Sequence, residues 1–240
     1  MKFAIFGDIH ANLEALQTVL ADAEAQECTH YVCIGDIVGY NANPGECLRI
    51  VRDLGCPVVR GNHDEEAAGD TQLEGLNHLA RHALEWTRHQ LTQEERDWLL
   101  ANKLVRQVRD FTIVHATLDT PGNWGYVTNK FDAMASFSYQ FTQLCFYGHT
   151  HVPRIYVKGE SVELHPDTEV HLQLGKKYFI NVGSVGQPRD GDWRAAYTIY
   201  DVEHQHVRLH RLEYDLATTQ QKIVEAGLPE RLADRLSVGQ

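Results

Sequence analysis

Lys2 to Phe6 is a short apolar run that stops abruptly at Gly7-Asp8, after which Leu13, Leu16, Val19 and Leu20 recur at helical spacing. The unit returns at Tyr31 to Ile34 ahead of Gly35-Asp36, and again at Pro57 to Val59 ahead of Arg60-Gly61-Asn62-His63-Asp64. Strands that alternate with helices imply a largely parallel sheet, because a parallel neighbour is reached only through a crossover connection. In such sheets the chemistry collects in the loops beyond the carboxyl ends of the strands. The polar, glycine-bearing loops are therefore where a site is expected.

Farther along, Leu76 to Lys103 reads as two helices, the second opening at Thr92-Gln93-Glu94-Glu95, a capping box in which Thr92 accepts from a free first-turn amide. Phe111 to Val114 and Leu144 to Tyr147 are further apolar strands, each followed closely by histidine. Tyr178 to Val182 runs into Gly183-Ser184-Val185-Gly186, and Ala195 to Val202 with His206 to Leu212 reads as a hairpin, so a second sheet is expected. Leu228-Pro229-Glu230 marks a helix start within a helical tail from about residue 216. There is no internal repeat or linker, and 240 residues at 43% hydrophobic fit a single domain spanning 1–240.

A formal charge of −11 opposes a non-specific grip on nucleic acid or an anionic membrane unless a bound cation reverses the sign locally. The five cysteines, Cys28, Cys33, Cys47, Cys56 and Cys145, are odd in number, lack paired metal-type spacing and mostly sit in apolar runs, so disulfides are not expected. The first residues lack the features of a signal peptide, and no eighteen apolar residues run together. A cytoplasmic location is the expectation.

The strand ends carry Asp8 and His10, Asp36, Asn62 and His63, His115, then His149 and His151. All are oxygen or nitrogen donors. If the loops converge, this mixture suits two divalent ions of intermediate hardness, whereas all-oxygen ligands would favour magnesium and cysteine a structural zinc. Such a pair, about 3.5–4 Å apart, can share a carboxylate and clamp the attacking and leaving oxygens of a phosphoryl group. In a loop that follows a strand, residues two apart can turn the same way, so His149 and His151 can each reach a different ion while Thr150 faces elsewhere.

The ordered set Gly7-Asp8-Ile9-His10, Gly35-Asp36, Gly61-Asn62-His63-Asp64, His115 and Gly148-His149-Thr150-His151 resembles the calcineurin-like metallophosphoesterases. Asn181-Val182-Gly183-Ser184-Val185-Gly186-Gln187-Pro188-Arg189-Asp190 extends the likeness to the small bacterial and archaeal phosphodiesterase branch. The resemblance implies an α/β fold, a four-layer α/β/β/α sandwich with two mixed sheets. It also implies that Asp8, His10 and His151 hold one ion, that Asn62, His115 and His149 hold the other, and that Asp36 bridges. The ions are expected to be manganese, iron, zinc or nickel, manganese first. A hydroxide between them would attack a small phosphoester, a diester or in some cases a monoester, with His63 as the catalytic proton donor to the leaving oxygen.

Departures from the family pattern narrow the substrate. Ser/Thr protein phosphatases and symmetrical diadenosine tetraphosphate hydrolases carry an arginine shortly after the bridging aspartate, and the former an aspartate too; here Asp36 is followed by Ile37-Val38-Gly39-Tyr40-Asn41. Ala11 stands at a usual glycine, and Val182 at the usual proline of Asn-Pro-Gly-Ser. A rival of another class is a protein-binding scaffold, as in the retromer subunit, but such members normally lose part of the donor set that is complete here. Arg189 either contacts substrate phosphate or pairs with Asp190 or Asp192. Asn123, Trp124 and Tyr126 either wall the leaving group or pack, and His78 with His82 reads as a solvated helical face. Oligomeric state is not legible.

Overall fold

The computed structural model describes residues 1–70, 73 and 75–240. In chain order the elements are β1 (Lys2–Phe6), α1 (Leu13–Ala25), β2 (His30–Cys33), α2 (Pro44–Asp53), α3 (Asn62–Ala68), α4 (His78–Gln90), α5 (Gln93–Ala101), β3 (Val105–Val108) and β4 (Phe111–Val114). Then follow α6 (Lys130–Tyr139), β5 (Leu144–Tyr147), β6 (Arg154–Lys158), β7 (Val162–Leu164), β8 (Glu169–His171), β9 (Lys177–Asn181), β10 (Ala195–Asp201), β11 (His206–Leu212), α7 (Leu216–Glu225) and α8 (Glu230–Asp234). The capping box forms: Thr92 Oγ1 accepts from Glu95 N at 3.3 Å and Glu95 Oε2 from Thr92 N at 2.9 Å.

One sheet has the order β2-β1-β10-β11-β8 and the other β3-β4-β5-β9-β6-β7. Period-two alternation buries both faces of the central strands. From β1, Phe3 and Ile5 point between the sheets, where they meet Phe111, Phe146, Tyr178 and Ile180, while Ala4 and Phe6 pack against α1 and α2. From β5 and β9, Tyr147 and Phe179 point the other way and pack with Phe137 of α6. The layers are therefore helices, sheet, sheet and helix, the α/β/β/α sandwich.

Strand–helix alternation overstates the parallel content. Only β1–β2, β4–β5 and β5–β9 pair in parallel; the remaining named pairs are antiparallel, so both sheets are mixed. The hairpin of β10 and β11 returns the chain beside β1, which no local crossover signal announces. Pro57 to Val59 forms only isolated bridges, Cys33 with Val58 and Val59 with Lys103, since proline has no N–H to give to a ladder. Among the described residues no helix is long and apolar enough to cross a membrane. All five cysteines are free thiols.

Candidate metal centre

The parallel pairs are the ones that matter for the site, because they set the carboxyl ends of β1, β2, β4 and β5 at one edge. Asp8 and His10 follow β1, Asp36 follows β2, His115 follows β4, and His149 and His151 follow β5. Ligand atoms of Asp8, His10, Asp36 and His151 all lie within 4.8 Å of one another, and so do those of Asp36, His115 and His149. Asp36 belongs to both groups. All six side chains are buried.

The backbone at these positions is held away from its usual wells. Asp8 has φ 47°, His10 47°, Asp36 51°, His149 64° and His151 59°, all in the left-handed region. Each such residue costs of order 1–3 kcal/mol and persists only where its surroundings over-determine it. Here the loops are stitched to one another: Asp8 N donates to Gly35 O, His10 N to Asp36 O, Gly148 N to His115 O and Gly186 N to Asp8 O, each at 2.9 Å. Ala11, where the family usually has glycine, shares the conformation at φ 57°. Asp64 anchors the next loop, its carboxylate accepting from the amides of Asp36 (2.8 Å), Ile37 (2.8 Å) and Gly61 (3.1 Å).

Each histidine of the cluster spends one ring nitrogen on a backbone carbonyl. His10 Nδ1 lies 3.1 Å from Val38 O, His115 Nδ1 2.9 Å from Ile34 O, His151 Nδ1 2.6 Å from Gln187 O, and His149 Nε2 2.9 Å from Trp124 O. A carbonyl only accepts, so these four nitrogens carry the protons of the neutral rings, an assignment made from the hydrogen-bond network. In the neutral rings the other nitrogens are bare lone pairs, and they face one another: His10 Nε2 is 3.0 Å from His151 Nε2, and His115 Nε2 is 3.2 Å from His149 Nδ1. Lone pairs so close repel unless a cation lies among them. This is the arrangement in which metal-ligating histidines are fixed through their second nitrogen.

The electrostatics ask for the same positive charge. Burial alone would lower the pKa of His115, yet the carboxylates of Asp36 and Asp8 overrule it and push it up to about 10. Without a metal, a proton takes the place. Burial pulls His10 and His151 well below the usual histidine value and takes His149 down to about 3, so these rings stay neutral and free to ligate. For Asp36 burial raises the pKa, but the neighbouring histidines, His115 foremost, hold it well below the carboxylate range.

Asn62 is the first residue of α3, and its Oδ1 is buried without a hydrogen-bond partner, while its side chain bonds to Glu66 one turn later. An amide oriented in this way leaves its oxygen for an ion. His63 is buried beside the cluster, its ring 4.8 Å from that of His10 and 4.5 Å from that of Tyr40. Its Nδ1 lacks a partner, and burial lowers its pKa to about 4. The ring has room because Gly39 has none of its own: a Cβ there would fall 2.5 Å from His63 Nδ1.

Trp124 stands edge-on to His115, with ring centroids 5.9 Å apart, and its main contribution is the carbonyl that orients His149. Tyr126 is exposed, its ring 4.3 Å from that of His149. Arg189 pairs with neither Asp190 nor Asp192, which are held by Arg211 and Arg194. His78 and His82 lie apart from the cluster, with ring centroids 6.3 Å from one another. Sequence reading missed the four carbonyls, which have no side-chain signature, and gave no role to Asp64 or Glu66, though Asp64 stood inside a quoted motif.

Comparison with known proteins agrees with this centre. The profile of the calcineurin-like phosphoesterase superfamily domain matches residues 1–205. The uncharacterized protein MJ0912 of Methanocaldococcus jannaschii is 37% identical over 240 residues, covering 98% of this chain and 97% of its own. The crystal structure of a metallophosphoesterase from Sphaerobacter thermophilus superposes with a TM-score of 0.87 at 40% identity, covering 100% of this chain and 99% of that one. The hypothetical protein PH1004 from Pyrococcus horikoshii OT3 shares the fold, with a TM-score of 0.83 at 18% identity over 100% of this chain and 98% of its own. Strand-end carboxylates and imidazoles in this order, on this sandwich and with these relatives, mean that the chain belongs to the calcineurin-like phosphoesterase superfamily, as a metal-dependent phosphoric ester hydrolase.

Proposed function

We propose that the protein hydrolyses phosphodiesters, accepting some monoesters, at a dinuclear centre. In this reading Asp8, His10 and His151 hold one ion, Asn62, His115 and His149 hold the second, and Asp36 bridges them. The observation that carries it is the two facing pairs of histidine ring nitrogens, 3.0 and 3.2 Å apart, one pair in each half of the cluster. Two divalent ions, manganese before iron, zinc or nickel, would supply Lewis acidity, bringing the pKa of water toward neutrality and polarising a phosphoryl oxygen.

The chain's own groups do the rest. Asp36 Oδ1 accepts from His63 N at 2.8 Å, which ties the bridging carboxylate to the main chain that carries the catalytic imidazole. His63 donates to the leaving oxygen, drawing its proton when the anionic substrate offsets the burial that keeps the ring neutral in its absence. A small soluble phosphoester in the cytoplasm, rather than nucleic acid or membrane, fits a chain of net charge −11.

The test is elemental analysis of the purified chain beside hydrolysis of bis(p-nitrophenyl) phosphate and p-nitrophenyl phosphate. His63→Ala is expected to lose roughly a hundredfold or more in kcat while keeping its metal, as removal of a general acid does. Asp36→Ala should lose both. Undiminished turnover in His63→Ala would overturn the proton-donor role, and a wild-type chain that holds no metal would overturn the centre.

A further inference from the structure

Arg189, in the loop after β9, and Arg235, in the turn after α8, lie against the same phenol ring: their Cζ atoms are 5.6 and 5.9 Å from the Tyr40 centroid. That ring touches His63 on its other contacts, with centroids 4.5 Å apart. Both guanidiniums are half-buried, and among the described residues neither is paired with an acidic side chain. Arg189 spends Nε and Nη2 on the neutral Gln187 Oε1 (3.2 and 2.7 Å) and also bonds to the Tyr40 hydroxyl. Arg235 gives its Nε to Gln240 O at 2.5 Å.

Two like charges set against one ring and partly desolvated repel each other, and no acidic side chain among the described residues is paired with either. Burial first, and then the charge of Arg189, pulls Arg235 down from its usual value. The placement is nonetheless rigid. Leu232 and Leu236, on either side of Arg235, are buried with Tyr40, Ala80, Ala83 and Ile223, so the C-terminal helices are packed onto the site rather than trailing from it. Arg235 also lines a cleft of about 410 Å³ with Asn77, His78, Leu79, Arg231 and Gln240. Among the described residues no acidic side chain lines that cleft, in a protein whose net charge is −11.

We infer that Arg189 and Arg235 hold a second phosphate group of the substrate, carried beside the phosphoester that is cleaved. Tyr40 is the spacer: it separates the clamp from His63 by one ring and fixes the distance between the phosphate that reacts and the phosphate that is held. Planar guanidiniums recognise phosphate through paired N–H donors, and the Nη groups of Arg235 make no hydrogen bond among the described residues. The preferred substrate is thus a bisphosphate-type ester rather than a simple diester. This inference rests on the phosphoesterase reading above.

The test compares two chromogenic esters on the full-length, manganese-loaded chain: the p-nitrophenyl ester of thymidine 5′-phosphate, and the same ester with a 3′-phosphate. The ratio of their kcat/KM values isolates the second phosphate. Wild type should favour the 3′-phosphorylated ester, and Arg235→Gln and Arg189→Gln should each lower the ratio tenfold or more, with the loss in KM. Arg235→Lys, which keeps the charge, should recover part of it. Arg189→Gln lies outside the packed C-terminal helices, so it answers the question even if Arg235→Gln folds poorly. A ratio that falls by less than tenfold in the folded variants removes the clamp and leaves the phosphoesterase reading intact. Failure of the wild type to turn over either ester overturns both.

Discussion

Gly61→Ala tests the joint between the two aspartate loops. A Cβ at this position would lie 2.1 Å from Asp36 Oδ1, 2.5 Å from Asp36 N and 2.7 Å from Asp36 Cγ. Asp36 must retreat by about an ångström to restore van der Waals contact. It is held at both ends, since Oδ1 accepts from His63 N at 2.8 Å and its own amide donates to Asp64 Oδ2 at 2.8 Å. Overpacking costs about 1–3 kcal/mol, and weakening a hydrogen bond to a charged group costs about 1.5–3 kcal/mol. A destabilisation of roughly 3 kcal/mol follows, which for a domain of this size lowers Tm by roughly 6–12 °C. Displacing the shared carboxylate by about an ångström should also cut kcat by about a hundredfold. Calorimetry and metal content measured on the same sample check both. Gly159→Ala is the control, because a Cβ there meets nothing within 4 Å; it should leave Tm unchanged or raise it slightly. A Gly61→Ala protein that melts with the wild type and keeps its metal would refute the reasoning.

Two further predictions concern charge and capping. His115 has its pKa pushed up to about 10 in the metal-free chain, burial opposing and Asp36 with Asp8 prevailing. A histidine raised in this way contributes stability that is fully present below its unfolded pKa of about 6.5 and is lost as pH climbs through the folded value. Chelator-treated protein should therefore melt at progressively lower temperature from pH 7 to 10. Over the same interval manganese affinity should rise about tenfold per pH unit, because the ion displaces that proton. Melts that do not shift with pH would refute the carboxylate pairing. Thr92→Ala should cost about 1 kcal/mol through the lost cap of α5, read as a Tm lower by roughly 2–4 °C; an unchanged Tm would mean that Glu95 alone suffices.

Much of the site was legible because ligands must be particular side chains. Of the seven side chains expected to hold metal, Asp8, His10, Asp36, His115, His149 and His151 come together in space, and Asn62 stands at the start of α3 with its Oδ1 buried and without a hydrogen-bond partner. The partners that orient the imidazoles are main-chain oxygens of Ile34, Val38, Trp124 and Gln187, and any residue can supply a carbonyl, so no pattern of letters betrays them. Glu66 and Asp64 are letters of the right kind, but their bonds run to Asn62 and to the Asp36 loop, which only folding brings near.

Local patterning along the chain announced β1, β2, β4, β5, β9, β10 and β11, helices α1, α4, α5, α7 and α8, the capping box of Thr92 and the donor set, because each depends on neighbours in the chain, whereas β3, β6, β7, β8 and α6 emerged only in the structure. Sheet order, the antiparallel return of β10 beside β1 and the meeting of Tyr40 with Arg189 and Arg235 were decided by the tertiary structure. These depend on which apolar faces bury one another, and hydrophobic burial is non-directional: it says that Leu232 and Leu236 must be covered, and only the packed core says by what.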